Sequence, residues 1–437
     1  MTTFGELIDQ GLLSVTDGYR AKNSELGGSG VIFLRAGHVR DSHIDFADVE
    51  RFHESLSGRL DDKASRVGDV IVTTKGNSTG RTSYVTAAMP KFVYSPHLSR
   101  WRVTDEQQIA PGFLRYWSRG PEFIGQMRGM AASTDMAPYL SLRDQRRLQI
   151  SLPRLTDQQA IADVLGTLDD KVEQNRRTSE ALERLACATF KAWFVDFEPV
   201  KAKADGAKSF PGMPAEVFAM LPTSLVSSSF GLIPEGWSIR SIGDVVSVRG
   251  GSTPSTKVPE FWDGGTHCWA TPKDLSDLRE PVLLETERHI TDAGLAQISS
   301  GLLPVDTILL SSRAPIGYLA FSRVPTAVNQ GFIALICDKG LPPLFVYHWV
   351  QISLEQIKSR ASGTTFPEIS KAAFRPIQLV VPADQLTNAF SSLAEPIFNL
   401  ISANVRESVT LARLRDYLLP RLLSGGIRVK EVGEWLK

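Results

Sequence analysis

Long apolar runs, paired cysteines and a surplus of either charge are all missing from this chain of 437 residues. No stretch approaches the roughly 18 consecutive apolar residues that cross a bilayer, so no contact with membrane is expected. The opening Met1-Thr2-Thr3-Phe4-Gly5-Glu6-Leu7 has no basic segment leading into an apolar one, so no signal peptide is expected. Cys187, Cys268 and Cys337 are odd in number and far apart, with neither a CxxC pair nor zinc-ligand spacing. They fit a reducing, cytoplasmic compartment and predict neither a disulfide framework nor a metal site. Forty-eight basic residues balance forty-eight acidic ones. That neutrality weighs against a dedicated nucleic-acid binder, although it leaves room for a local basic groove or for partners that share the electrostatic load.

Catalytic signatures are also missing. The run Gly76 to Thr82 resembles a phosphate loop but lacks its Gly-Lys-Ser/Thr ending. No glycine fingerprint opens a dinucleotide fold, so neither S-adenosylmethionine nor any other cofactor is expected. There is no HExxH, no nucleophile elbow and no Cys–His pairing apparent along the chain. The acidic pairs Asp61-Asp62 and Asp169-Asp170 read as solvated turns and helix faces.

What is present is a globular composition, 42% hydrophobic and 22% charged, in a chain long enough for two or more domains. An internal repeat organises it. At a shift of 229, Pro138 matches Pro367, Ser141 matches Ser370, Gln149 matches Gln378 and Pro153 matches Pro382. Without a gap, Asn175 then matches Asn404, Ser179 matches Ser408, and Leu182, Arg184 and Leu185 match Leu411, Arg413 and Leu414. Upstream the shift drifts: Gly68-Asp69-Val70-Ile71 aligns with Val305-Asp306-Thr307-Ile308, and Pro111-Gly112-Phe113-Leu114 with Pro343-Leu344-Phe345-Val346. Short β-rich runs at 31–34, 70–74, 83–86, 308–312, 318–321 and 332–336, separated by Gly, Pro, Asn and Ser, give each variable part a sheet; helices are expected near 112–117 and 344–360. The fold class is α+β.

The better-kept part of each repeat is a long amphipathic helix. From 156 to 194 there is no proline and one glycine, and apolar residues recur at heptad spacing. Ile161, Leu168, Asn175 and Leu182 occupy a positions, with Leu165, Val172, Ser179 and Trp193 at d; the second helix repeats the pattern, with Arg415 in its seam and Pro396 expected to bend it. Antiparallel pairing sets Asn175 against Ser408, Ser179 against Asn404, Leu182 against Ile401, Val172 against Leu411 and Trp193 against Phe390. Polar seam residues then meet each other, except that Arg415 faces Leu168. A buried polar layer selects register and orientation in such a pair.

Two variable domains, each followed by a kept helix, resemble the specificity subunits of type I restriction–modification systems. The residues between the repeats are similar to that family's central region: Phe194-Val195-Asp196-Phe197-Glu198-Pro199-Val200, then Lys203 and Gly206, then Phe230-Gly231-Leu232-Ile233-Pro234-Glu235-Gly236-Trp237. Trp269-Ala270-Thr271-Pro272-Lys273-Asp274-Leu275 resembles an element of its target-recognition domains. One departure is that nothing like the Ile233-Pro234-Glu235-Gly236-Trp237 lead precedes the first domain, so a shorter opening strand is expected there. The resemblance implies target-recognition domains at 1–153 and 235–382, kept helices at 154–199 and 383–425, a linker at 200–234 and a tail at 426–437. It further implies a non-catalytic subunit that reads a bipartite double-stranded DNA site, one domain per half-site. The helices would form an antiparallel coiled coil with pseudo-twofold symmetry, on which methyltransferase subunits dock, and a restriction subunit would complete the complex. A helix of about 38 residues is roughly 57 Å long, which places half-sites on the order of 15–17 base pairs apart.

Base reading needs hydrogen-bonding side chains held on loops. The densest such run is 73–81, with Thr74, Lys75, Asn77, Ser78 and Arg81; its repeat counterpart brings Ser311, Ser312 and Arg313. Further candidates are Arg35 and His38, with counterparts Thr271 and Lys273, the Asn329-Gln330 pair, and His97 and Arg100. Ser362-Gly363-Thr364-Thr365, matching Ser133-Thr134, is a candidate for approaching phosphate. Two other readings stay open. One is a nuclease or methyltransferase with an unrecognised site, which would turn over DNA alone; the other is a coiled-coil scaffold that binds no DNA.

Overall fold

The computed structural model describes residues 1–40, 43–56, 58–131, 139–276, 278–363 and 367–429. The chain divides into two compact units, Met1–Lys171 with Thr410–Lys437, and Val172–Val409. Each unit therefore contains part of both long helices, Leu155–Phe194 and Asp384–Leu423. Among the described residues, no helix is long and apolar enough to cross a membrane.

In the first unit an antiparallel sheet runs in the order Leu13–Asp17, Leu98–Val103, Val70–Thr73, Thr82–Tyr84. A three-stranded sheet places Ile32–Leu34 between Glu50–Arg51 and Phe92–Tyr94, parallel to the latter. Thr2–Thr3 pairs with Gln149–Ile150. Phe4, Trp101, Trp117 and Phe123 form the aromatic centre of this unit, with ring centroids 5.0–6.0 Å apart. Inside that apolar centre the Trp101 indole N–H donates to Oε1 of the buried Gln145 at 2.8 Å, which removes the cost of a lone buried donor. From the two long helices, Ile161, Leu165 and Leu168 share this core with Leu418, Leu419 and Leu422.

The second unit repeats the order. Its larger sheet runs Ser247–Arg249, Phe332–Ile336, Ile308–Ser312, Ile316–Ser322, with Val282–Leu283 added as a parallel edge. Its three-stranded sheet places His267–Ala270 between Arg288–Ile290 and Thr326–Val328, again parallel to the last. Ser238–Ser241 pairs with Gln378–Val381. The first unit's opening strand is indeed the shorter, two residues against four.

The repeated residues have physical reasons. Ser141 and Ser370 each cap a short helix, accepting from the Asp144 and Ala373 amides at 3.1 Å. Pro111 and Pro343 stand at the first helical position, where a missing N–H costs nothing. The helix expected at 344–360 is broken at Ser353 into Pro343–Ile352 and Leu354–Lys358. The segment expected as a linker instead folds: helices Glu198–Ala204 and Ala215–Met220 and the hairpin Leu225–Ser228 with Gly231–Pro234 fill it. Val200, Met213, Val217, Phe218 and Leu221 join the core around Phe190, Trp193, Phe194 and Phe345. Lys203 holds the turn by donating to the Ala219 and Leu221 carbonyls, both at 2.6 Å.

Within the second unit the long helices meet in opposite chain directions. The Asn175 amide donates to Glu407 at 2.7 Å and reaches the Asn404 carbonyl and Ser408 hydroxyl at 3.4 Å; the Asn404 amide reaches Ser179 at 3.3 Å. Trp193 stacks edge-on against Phe390. The second helix stays continuous through Pro396. In the first unit, Arg415 turns aside from the seam to Asp169, at 2.7 Å. Asp169 is thus no solvated helix-face residue: only 9% of its side chain is exposed, and it also accepts from Arg115 at 2.5 Å and Tyr116 at 2.9 Å. Burial alone would raise its carboxyl, but Arg115 and Arg415 outweigh burial and hold it below its ordinary value.

Two outcomes follow. Replacing Asp169 by Ala removes the carboxylate that Arg115 and Arg415 share and is expected to cost about 3–5 kcal/mol in urea denaturation. Because the folded carboxyl lies below its unfolded value of about 3.9, its contribution is fully present above that pH and is lost as pH falls through the folded-state value; the gap between parent and Asp169→Asn should therefore shrink in melts taken near pH 3. Separately, Asn175→Leu with Ser408→Leu should leave the fold and melting temperature near the parent's. It should weaken register selection, read as additional disulfide cross-links between cysteines introduced at neighbouring seam positions.

Candidate nucleic-acid interface

The hairpin of Val70–Thr73 and Thr82–Tyr84 carries the donor-rich run at its tip. Thr73, fully buried, closes the turn: its hydroxyl donates to the Ser78 carbonyl and accepts from the Arg81 amide at 3.0 Å. Thr79 donates to the Gly76 carbonyl at 2.6 Å. Gly76 and Gly80 take φ of +86° and +88°, a region other residues enter only with strain. The turn is therefore held from within, and Lys75 and Asn77 stay exposed with Ser78 half-buried. Lys75 has no ion-pair partner among the described residues. Thr74 is buried; its amide donates to the His97 carbonyl and its carbonyl accepts from the Leu140 amide, both at 2.9 Å. Arg81 is half-buried and donates to the Val39 carbonyl at 3.2 Å, tying the tip to the loop that follows Ile32–Leu34.

The second unit builds the same tip with different residues. Ser311, buried, takes the part of Thr73: its hydroxyl accepts from the Gly317 and Tyr318 amides at 3.1 and 2.8 Å and donates to the Pro315 carbonyl at 2.8 Å. Ser312, also buried, mirrors Thr74, its amide on the Gly331 carbonyl at 2.8 Å and its carbonyl on the Ile369 amide at 3.0 Å. Arg313 then stands where Lys75 stands; Lys75 bridges Tyr139 and Arg313 bridges Glu368, each two residues before its capping serine. These hydrogen bonds move the upstream alignment by one residue, so that Gly68 matches Asp306 rather than Val305. Both have positive φ, +95° and +67°, and both donate from their amide across the hairpin, to Val85 and Ser322. Aspartate tolerates that left-handed position, which hid the correspondence.

Beside each tip, the parallel strand pair ends in a capped turn. Arg35 lies over the Phe33 ring at 5.1 Å and pairs with Glu50, Nε to Oε2 at 2.6 Å. His38 Nδ1 accepts from the Arg35 amide at 3.1 Å. Thr271 matches Arg35, but Asp274, not Lys273, matches His38: its carboxylate accepts from the Thr271 amide at 2.8 Å and hydroxyl at 2.6 Å. Lys273 is exposed and pairs with Glu287 at 2.7 Å. Asn329 accepts from the Gly331 amide at 2.8 Å, and exposed Gln330 accepts from the Thr253 hydroxyl at 2.7 Å. His97 is exposed, whereas Arg100 is buried in its sheet with Nη2 on the Ser14 hydroxyl, so the expectation that it faces outward is corrected. Thr364, Thr365, Ser133 and Thr134, like Pro138, lie outside the described residues.

Two glycines escaped the sequence reading. A Cβ on Gly18 would sit 2.0 Å from the Ser95 carbonyl oxygen, and one on Gly251 would sit 1.6 Å from that of Val328. Each lets a loop cross the end of a parallel strand pair. In the first unit this brings Arg20 and Asn23 beside Arg35 and His97 around a cavity of about 180 Å³. The expectation of no Cys–His pairing also changes: Cys268 and His289 are cross-strand neighbours, with Glu285 beside them.

Residues 234–388 match the family model for the type I restriction modification DNA specificity domain. Over 91% of its length the chain is 26% identical to the type I restriction enzyme HindI specificity subunit of Haemophilus influenzae, covering 94% of that protein. It is 32% identical to the MjaIX specificity subunit of Methanocaldococcus jannaschii over 44% of this chain and 45% of that one. In fold it is similar to the crystal structure of a type I restriction–modification S subunit from M. genitalium, with a TM-score of 0.55 at 15% identity over 96% of this chain and 94% of that one. Repeat order, central region and these relatives agree: residues 234–388 match the specificity-domain model, and over nearly its whole length the chain is similar to type I restriction enzyme specificity subunits.

Proposed function

We propose that this chain is the sequence-recognition subunit of a type I restriction–modification complex, with no catalytic site of its own. Two target-recognition domains, 1–153 and 235–382, would each read half of a bipartite site on double-stranded DNA. The observation that carries the reading is the hairpin tip built twice on one strand order, with Lys75 and Arg313 at equivalent places. A tip closed by its own buried hydroxyl presents side chains without paying for loop ordering on binding, which favours readout over mere attraction.

Within each proposed reader the outward residues are Lys75, Asn77, Ser78, Arg35 and His97 in one, and Arg313, Lys273 and Gln330 in the other. Thr74, Ser311 and Ser312 support the tips from beneath. Arg81, His38, Thr271 and Asn329 shape the adjoining turns. Several of these cations already face carboxylates: Arg35 pairs with Glu50, Lys273 with Glu287, and Arg313 lies 3.8 Å from Glu368. DNA phosphate would have to displace those partners, which makes affinity modest and sensitive to register. In the same reading the two 40-residue helices act as an antiparallel coiled-coil spacer between half-sites, with Asn175, Ser179, Asn404 and Ser408 setting its register. Methyltransferase subunits would dock on that spacer, and a restriction subunit would join them.

Mapping of methylated bases in cells carrying this subunit with its partner subunits tests the proposal. The expected result is one bipartite motif with a fixed unread gap; a contiguous motif, or methylation independent of this chain, overturns it. In the assembled methyltransferase, Lys75→Ala and Arg313→Ala are each expected to weaken DNA binding on the order of tenfold in a gel shift. A residue reading a base relaxes only its own half-site, while one holding phosphate weakens all sequences evenly and flattens the salt dependence.

A further inference from the structure

We propose that Cys268, Glu285 and His289 form a binding site for a zinc-class divalent cation, a property independent of DNA reading. Cys268 on His267–Ala270 and His289 on Arg288–Ile290 are direct partners in the antiparallel register. Partners across such a pair share one face of the sheet, so thiol and imidazole face the same side. Between the two strands the chain returns through Thr286, whose buried hydroxyl accepts from the Trp269 amide at 3.1 Å and donates to the Arg288 carbonyl at 2.7 Å. That anchor fixes the turn and sets the Glu285 carboxylate beside both partners.

Three ligand atoms of different chemistry converge there. Cys268 Sγ lies 3.4 Å from Glu285 Oε1 and 3.8 Å from His289 Nε2, and that Nε2 lies 2.8 Å from the same Oε1. Tetrahedral zinc, with bonds of about 2.0–2.3 Å to N, O and S, sets its ligands about 3.3–3.6 Å apart. Two of the separations match that spacing within a few tenths of an ångström, and the third opens when a cation enters between carboxylate and imidazole. Among the described residues this is the one group of three such side chains whose ligand atoms draw together in this way.

The same geometry argues against a nucleophilic triad. In a triad the base turns one ring nitrogen to the nucleophile and the other to the carboxylate. Here a single nitrogen faces both thiol and carboxylate, as ligands of one ion do. Glu285 is exposed and His289 partly so, which leaves solvent access and a fourth position for water. The cation would clamp the strand pair beneath the turn carrying Thr271 and Lys273, because Glu287 also donates its amide to Asp274 at 2.8 Å.

Titrating the full-length, metal-free chain with Co²⁺ tests the site. The expected result is one equivalent bound with a thiolate-to-cobalt charge-transfer band that Zn²⁺ abolishes by displacement. Zn²⁺ should also raise the melting temperature. Cys268→Ser should remove the band, His289→Gln and Glu285→Gln should weaken binding at least about tenfold while the thiol remains, and Cys187→Ser should leave it unchanged. Absence of the band in the parent chain, its persistence in Cys268→Ser, or parent-like affinity in His289→Gln overturns the proposal. Circular dichroism of each variant separates loss of ligand from loss of fold, and His289→Gln decides the matter should Cys268→Ser misfold.

Discussion

Neither unit has a complete core without both long helices. In the first unit, Leu418, Leu419 and Leu422 arrive from the far end of the chain to cover Ile161, Leu165 and Leu168. In the second, Phe390, Ala394, Phe398 and Ile401 close over Phe190, Trp193 and the strands beneath. Apolar contact drives this closure, at about 25 cal/mol per Å² of surface removed from water, but it is indifferent to register. The register role proposed for Asn175, Ser179, Asn404 and Ser408 rests on what apolar contact lacks: a slip of one turn would strand the buried Asn175 amide without its partners.

The repeat was legible because caps and seams tolerate few residue types. A serine that accepts from the amide three residues on, or an asparagine that must meet another polar group, keeps its identity at a constant shift. The build of the hairpin tips was harder to read. Thr73 and Ser311 do the same job with different side chains, and Gly68 and Asp306 share a backbone conformation rather than a letter. The rich run at 73–81 offers donors throughout, yet burial divides it into an inward Thr74 and an outward Lys75 and Asn77, a division set by backbone pairing with His97 and Leu140, far along the sequence.

Cross-chain encounters were the least visible. Asp169 sits in a helix whose local pattern gives no sign of Arg115 or Arg415, so its carboxylate read as solvated although it holds both guanidinium groups. Cys268 and His289 are likewise neighbours only because an antiparallel register aligns them. Zero net charge conceals a similar arrangement: several cations are held by nearby carboxylates, and a count of charges does not reveal which remain outward.

The closing of each hairpin by a hydroxyl beneath it has an evolutionary corollary. Because Thr73 and Ser311 bond almost entirely to main chain, the framework does not depend on which side chains crown the turn. The exposed positions are free to drift while the scaffold stays folded. If the tips read DNA as proposed, such a design lets one lineage acquire new sequence preferences by a few surface changes.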